Sequence, residues 1–297
     1  MVLQVDGGPR AGFGHVGRCL ALADEFGPDA AFAVEDEVIA GRLAALGIPV
    51  VRADADASVV LIDSVMPTDE ARVRELQSSG RRVCLVDDPG SGRAAADLVV
   101  DPPTGTDWPP AAGRVLAGFD HVLLRREIRA AVPDPADRTD IVIMLGGSDP
   151  EGLTPALAAG LIASGRRVLS VLGPTYQGPR PDGEVLADPS RWPQTLAGAT
   201  VLVTRFGHTL LEAASLGVPA VAIATTPEAR REAIALANHG SCVAVPVTET
   251  RDVTQAVAAA LDLLADAGRR EAMAVRGRTL VDGLGAARVA AAIRELV

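Results

Sequence analysis

The sequence predicts an α/β fold built from two Rossmann-like parallel-sheet domains. Three observations carry this. Short apolar runs alternate with amphipathic helical stretches along the chain, as in parallel sheets covered on both faces. The length of 297 residues suits two domains of ordinary size. Three glycine-rich loops, after Asp6, Leu145 and Thr204, each follow an apolar run. Ligands of open α/β sheets bind there, beyond the carboxyl ends of the strands.

The elements follow in order. Val2 to Val5 reads as a buried strand, and Val16, Leu20, Leu22 and Ala23 at helical spacing predict a helix from near His15. Ala30 to Val34 is a strand, Glu37 to Leu46 a helix stopped by Gly47, and Ile48 to Arg52 a short strand. Val59 to Ile62 is a strand ending in Asp63, Thr68 to Ser79 a helix closed by Gly80, and Arg82 to Val86 a strand ending in Asp87 and Asp88. Leu98 to Val100 and His121 to Leu124 read as further strands. The proline-bearing, polar stretch Ala130 to Thr139 reads as a linker.

A second pattern then begins. Strands are expected at Asp140 to Leu145, Arg167 to Leu172, Thr200 to Thr204, Val218 to Ile223 and Ser241 to Val245. Helices are expected up to Ser164, at Arg191 to Leu196, up to Leu216, and at Glu228 to Asn238, Asp252 to Leu264 and Ala286 to Leu296. The domains expected are 1–130 and 140–285, with the helix of 286–297 packing back on the first.

Composition narrows the function. Hydrophobic residues make up 48% and aromatics 3%, so the core is aliphatic. Every basic residue is Arg, and the net charge is −10, which argues against nucleic-acid or anionic-membrane partners. Cys19, Cys84 and Cys242 follow no metal spacing; the last two lie in apolar runs and read as buried thiols. With no signal h-region or long apolar span, a cytoplasmic protein is expected.

The glycine-rich loop holding Gly7, Gly8, Gly12 and Gly14 delivers His15 to a helix start. That position favours anions and suits a neutral imidazole able to accept a proton. The alternative is a His that only caps or packs. Gly12, Gly14 and Gly17 also match the dinucleotide fingerprint, with Glu35, Asp36 and Glu37 downstream. The loop from Asp6 is too long for that tight turn, and His15 would crowd a pyrophosphate. Asp54 and Asp56 imitate a metal-binding D-x-D, but they precede a strand and read as a solvated turn. No metal or cofactor is expected.

The pattern Gly12, Gly14, His15, Arg18, Cys19, Leu20, Leu22, Ala23 resembles the N-terminal signature of the UDP-sugar hydrolases of pseudaminic acid biosynthesis, small relatives of the GT-B glycosyltransferases. Phe206 to Ala214 followed by Gly217-Val218-Pro219 resembles the GT-B nucleotide-binding stretch. Gly146-Gly147-Ser148-Asp149 resembles the family's phosphate-facing loop, and Leu124-Arg125-Arg126-Glu127 its stretch before the linker.

The resemblance implies a GT-B fold whose domains face each other across a cleft, and a UDP-sugar as co-substrate. It implies His15 as catalytic base. Gly12, Gly14, Arg18, Gly146, Gly147, Ser148, Arg205, Gly207, His208, Thr209 and Glu212 would bind the nucleotide sugar, with Glu212 on the ribose. Asp63, Val65, Met66 and Asp88 would line the sugar or acceptor pocket.

One departure decides between reactions. The hydrolases place a Tyr where this chain has Val65, and its single Tyr is Tyr176. An apolar Val65–Met66 pair suits a flat organic acceptor, as in the related cytosylglucuronic acid synthases, which join glucuronate from its UDP-sugar to cytosine. The reading taken is a metal-independent inverting transferase with a small acceptor. The alternative is a hydrolase using water. A dehydrogenase, or a nucleotide-sugar-binding protein without catalysis, stands behind both.

Overall fold

The computed structural model describes residues 1–8, 14–101, 103, 108–133, 138–173, 175–187, 191–247 and 252–297. The chain divides into two compact units, Met1–Arg126 with Gly283–Val297, and Glu127–Asp282.

The first unit holds strands β1 (Val2–Val5), β2 (Ala31–Ala33), β3 (Val59–Asp63), β4 (Arg82–Val86), β5 (Leu98–Val100) and β6 (Arg114–Leu116). All pair in parallel, in the order β2-β1-β3-β4-β5-β6. Helices α1 (Gly14–Phe26), α2 (Glu37–Ala45) and α3 (Glu70–Ser78) connect them. Asp36 and Asp69 start α2 and α3 by accepting from Ile39 N and Arg72 N. Every residue of β3 is buried, which accounts for its unbroken apolar run.

The second unit opens within a short helix, α4 (Arg126–Arg129). Its strands are β7 (Thr139–Met144), β8 (Val168–Val171), β9 (Glu184–Leu186), β10 (Ala199–Arg205), β11 (Ala220–Ala224) and β12 (Val243–Pro246), in the order β12-β11-β10-β7-β8-β9, again all parallel. Helices α5 (Thr154–Ile162), α6 (Trp192–Gly198), α7 (His208–Leu216), α8 (Pro227–Asn238), α9 (Val253–Ala265) and α10 (Ala267–Leu280) complete it. The last helix, α11 (Gly285–Arg294), belongs to the first unit, where Ala286, Val289, Ala292 and Ile293 join the core with Leu3, Val16, Leu20 and Leu116.

Strand order changes direction between β1 and β3 in the first unit and between β7 and β10 in the second. At such switch points the loops leaving neighbouring strands diverge to opposite faces and open a crevice. His15 lies in the first turn of α1, the helix that follows β1, Asp63 ends β3, and the loops carrying Gly146 and Gly207 leave β7 and β10.

Two expected strands need correction, and three elements were not expected. Ile48 to Arg52 forms only a single bridge, Phe32 with Val50, because Pro49 offers no N–H to extend a ladder. His121 to Leu124 is not a strand: a 3₁₀ turn at Phe119–His121 leads into extended chain beneath α11. The sixth strand is instead β6, which carries no apolar alternation because Arg114 and Val115 are exposed. Strand β9 and helix α10 carry no distinct apolar signal; β9 is only partly buried, and α10 is rich in Arg.

Candidate active site

The first cluster forms where β1, β3 and β4 end. His15 and Arg18, one helical turn apart on α1, share a face and meet the Asp63 side chain at the end of β3. His15 Nδ1 lies 2.6 Å from Asp63 Oδ1. Arg18 donates from Nε to Asp63 Oδ2 at 2.6 Å and from Nη2 to Asp63 Oδ1 at 2.7 Å. Its Nη1 donates to Asp87 Oδ2 at 2.8 Å. The Cys19 thiol donates to Asp63 Oδ2 from beneath, at 3.6 Å.

This arrangement assigns the imidazole tautomer. Asp63 is wholly buried, and its carboxylate only accepts. The short contact to Nδ1 therefore needs a proton on Nδ1. Arg18 Nη2 also lies 3.1 Å from Nδ1, but it has Asp63 Oδ1 to donate to, whereas the carboxylate has no proton to give Nδ1. Nδ1–H thus donates to Asp63, and Nε2 is left as the acceptor of the neutral ring. Burial pushes the Asp63 carboxyl up, but Arg18 and His15 outweigh it and hold it below the usual carboxylate range. With two carboxylates and one guanidinium around it, a proton taken by His15 brings the cluster to neutrality.

The loops around this cluster sort the remaining acidic residues. Asp88 is wholly buried and accepts from the backbone N–H of Thr68 and Gly90. The structure therefore places it beneath the loop rather than in a pocket. Its neighbour Asp87 has φ 54° and is a third exposed. Asp6 accepts from Ser64 Oγ at 2.7 Å and from Val65 N at 2.8 Å, and so holds the loop after β3. That loop leaves Val65 and Met66 52% and 72% exposed. Gly12 lies outside the described residues. At Gly14 a Cβ would meet open space.

The second cluster forms where β7, β8 and β10 end. Gly146 takes φ 88°, and a Cβ on Gly173 would lie 2.4 Å from the carbonyls of Gly146 and Gly147, so the two loops touch backbone to backbone. Thr175 ties down the same loop by donating to Gly147 O from both N and Oγ1. Asp149 starts α5, accepting from Leu153 N and Thr154 N. Ser148, between Gly147 and Asp149, is half-buried.

Gly207, at φ 153°, turns the chain from β10 into α7, whose start no side chain among the described residues caps. The first turn of α7, with His208 and Thr209, offers amide groups to an anion. Arg205 pairs with Glu151 at 3.2 Å, and Glu151 also accepts from Thr225 Oγ1 at 2.9 Å. Glu212 is buried, and its Oε2 accepts from Trp192 Nε1 at 2.8 Å. Sequence reasoning missed Asp6, Asp87, Glu151 and Trp192. Asp6 stood at a strand end like Asp63, and of the Asp87–Asp88 pair that ends β4 only Asp88 was given a role; no motif pointed to Glu151 or Trp192.

The imitation motifs resolve simply. Asp36 caps α2, and Asp54 pairs with exposed Arg52. Among the described residues no three His, Cys, Asp or Glu side chains gather as a metal site, and no helix is long and apolar enough to cross a membrane.

No protein-family model and no curated protein sequence matches the chain. Solved structures do. The calicheamicin glycosyltransferase CalG4 aligns over 99% of this chain and 97% of its own, with 16% identity and a TM-score of 0.63. Anabaena HepE in complex with UDP-glucose aligns over 100% and 99%, with 13% identity and a TM-score of 0.66. A putative UDP-N-acetylglucosamine 2-epimerase from Listeria monocytogenes aligns over 99% and 95%, with 15% identity and a TM-score of 0.56. The fold is thus the GT-B fold, two parallel-sheet Rossmann-like units, as in the glycosyltransferase CalG4. An epimerase on the same fold means that the reaction has to be argued from the site.

Proposed function

We propose that this chain is a metal-independent, inverting glycosyltransferase that moves a sugar from a UDP-sugar to a small acceptor. The observation that carries the reading is the His15–Asp63 pair at the switch point of the first sheet. An imidazole held by a buried carboxylate on one nitrogen presents the other as a base. His15 Nε2 takes the proton from the acceptor O–H or N–H as that atom attacks the anomeric carbon. The bond from that carbon to the diphosphate oxygen breaks, and UDP leaves with the electron pair.

The second unit is assigned the nucleotide. The Gly146–Ser148 loop and the first turn of α7 donate amides to the diphosphate, and Glu212, steadied by Trp192, accepts from the ribose. HepE was solved with UDP-glucose, which supports a nucleotide-sugar donor. Exposed Val65 and Met66 favour a flat organic acceptor, a nucleobase such as cytosine with glucuronate as the donor sugar being one case.

Water is the second reading. The His15 side chain keeps 20% of its surface exposed, enough to admit it. UDP release from a panel of UDP-sugars, with and without small acceptors including cytosine, separates the two. Release that requires an acceptor establishes the transferase. Release in buffer with free sugar at a matching rate establishes the hydrolase. Absence of release with every donor overturns both.

A further inference from the structure

We propose that Arg18 and Asp87 are positioning residues, the outer half of a chain Asp87–Arg18–Asp63–His15 that holds the base, and that Arg18 is not a ligand of the substrate's anionic groups. The proposal rests on the reading of His15 as base. Three geometric facts carry it. Arg18 commits all three of its nitrogens to carboxylates, Nε and Nη2 to Asp63 as a fork and Nη1 to Asp87. Its side chain is four-fifths buried, with 20% exposure. Asp87, which holds its far end, keeps a left-handed backbone that a non-glycine residue adopts at a cost, at the end of β4 where its carboxylate reaches Arg18.

The geometry gives each member a task. Arg18 bonds both oxygens of Asp63, so the carboxylate plane cannot rotate, and Oδ1 stays aimed at His15 Nδ1. Asp87 stops the guanidinium from swinging toward solvent. The groups facing Asp63 are His15, Arg18 and Cys19 of α1, and Asp87, the residue after β4, reaches it through Arg18.

The test uses Arg18→Lys and Asp87→Asn in the full chain, with His15→Gln as control. Asp87→Asn keeps the shape at a partly exposed position and guards against Arg18→Lys failing to fold. Two readouts are taken. Nitrogen–proton NMR of labelled histidine reports the His15 tautomer without any turnover; His15→Gln assigns its signal among four histidines. Steady-state kinetics with the active UDP-sugar report kcat and KM, and calorimetry reports UDP affinity.

The expected result is a wild-type His15 protonated on Nδ1, and a mixture of tautomers in both variants. With it should come a tenfold or larger fall in kcat and unchanged UDP affinity. A pure Nδ1–H signal in both variants overturns the proposal. So does weaker UDP binding or a higher KM at unchanged kcat, the mark of an anion ligand. If the wild type turns over no UDP-sugar, the base reading fails by itself, and the NMR result still decides whether Arg18 and Asp87 position His15.

Discussion

At the residue scale, the site's behaviour turns on one hydrogen atom. Asp63 fixes it on Nδ1 of His15, so Nε2 is the basic nitrogen. Two predictions follow from that atom. His15→Ala should cut turnover about 10²–10⁴-fold, the usual contribution of a positioned base, while UDP affinity measured by calorimetry stays the same. Asp63→Asn should cut kcat as well, since its amide can present a donor to Nδ1 and favour the wrong tautomer. A third prediction concerns pH. Because the folded Asp63 carboxyl sits below its unfolded value of about 3.9, its ionisation stabilises the fold above that value. That contribution drains away as pH falls below about 4 toward the folded value. Denaturant midpoints measured down the acid range should therefore fall less steeply in Asp63→Asn than in wild type.

At the scale of elements, the switch points gather the chemistry and close backbone approaches shape it. The second-unit loop depends on Gly173 lying against Gly146 and Gly147. A methyl there meets backbone at 2.4 Å, which no rotamer can relieve. Gly173→Ala should weaken UDP binding and leave the His15 tautomer, read by NMR, unchanged. Helix α7 also shows why a motif and its role separate. The Gly207–Glu212 spacing was visible in the chain, because a loop, an uncapped start and an acidic residue one turn on are local features. The bond from Trp192 to Glu212 spans twenty residues and joins two helices, so no local pattern could show it.

At the scale of the whole molecule, the chain leaves the first unit at Arg126 and returns to it at Gly283. Helix α11 completes that unit's core, with Val289 and Ile293 almost wholly buried. Ile293→Ala should cost about 2–5 kcal/mol, the usual loss for a buried branched side chain, and the cost should fall on the first unit. The thiols can report this. Cys19 and Cys84 lie in the first unit and Cys242 in the second, all buried, with burial pushing the Cys242 thiol up to about 12 and raising the other two as well. In native wild type all three should resist thiol reagents. In Ile293→Ala, mass spectrometry should find Cys19 and Cys84 labelled before Cys242. Equal labelling of the three would show that the units unfold together.

What the amino-acid order determined by itself was the run of elements and their class. Buried parallel strands must be continuously apolar and helices must repeat at 3.6 residues, so β3, β4, β7, β10 and α1 were legible from side-chain pattern alone. Where burial is one-sided or brief, as in β6 and β9, that pattern vanishes. The glycine loops and His15 were legible too, because turns and helix starts are local. Only the tertiary structure decided which strand-end acids serve the site. Asp63, Asp87 and Asp88 look alike in the chain. Strand register and the path of each loop send the first to His15, the second to Arg18 and the third to backbone amides. A carboxylate's role is set by the donors it meets, and those come from α1, more than forty residues away for Asp63 and more than sixty for Asp87, and for Asp88 from Thr68, twenty residues before it.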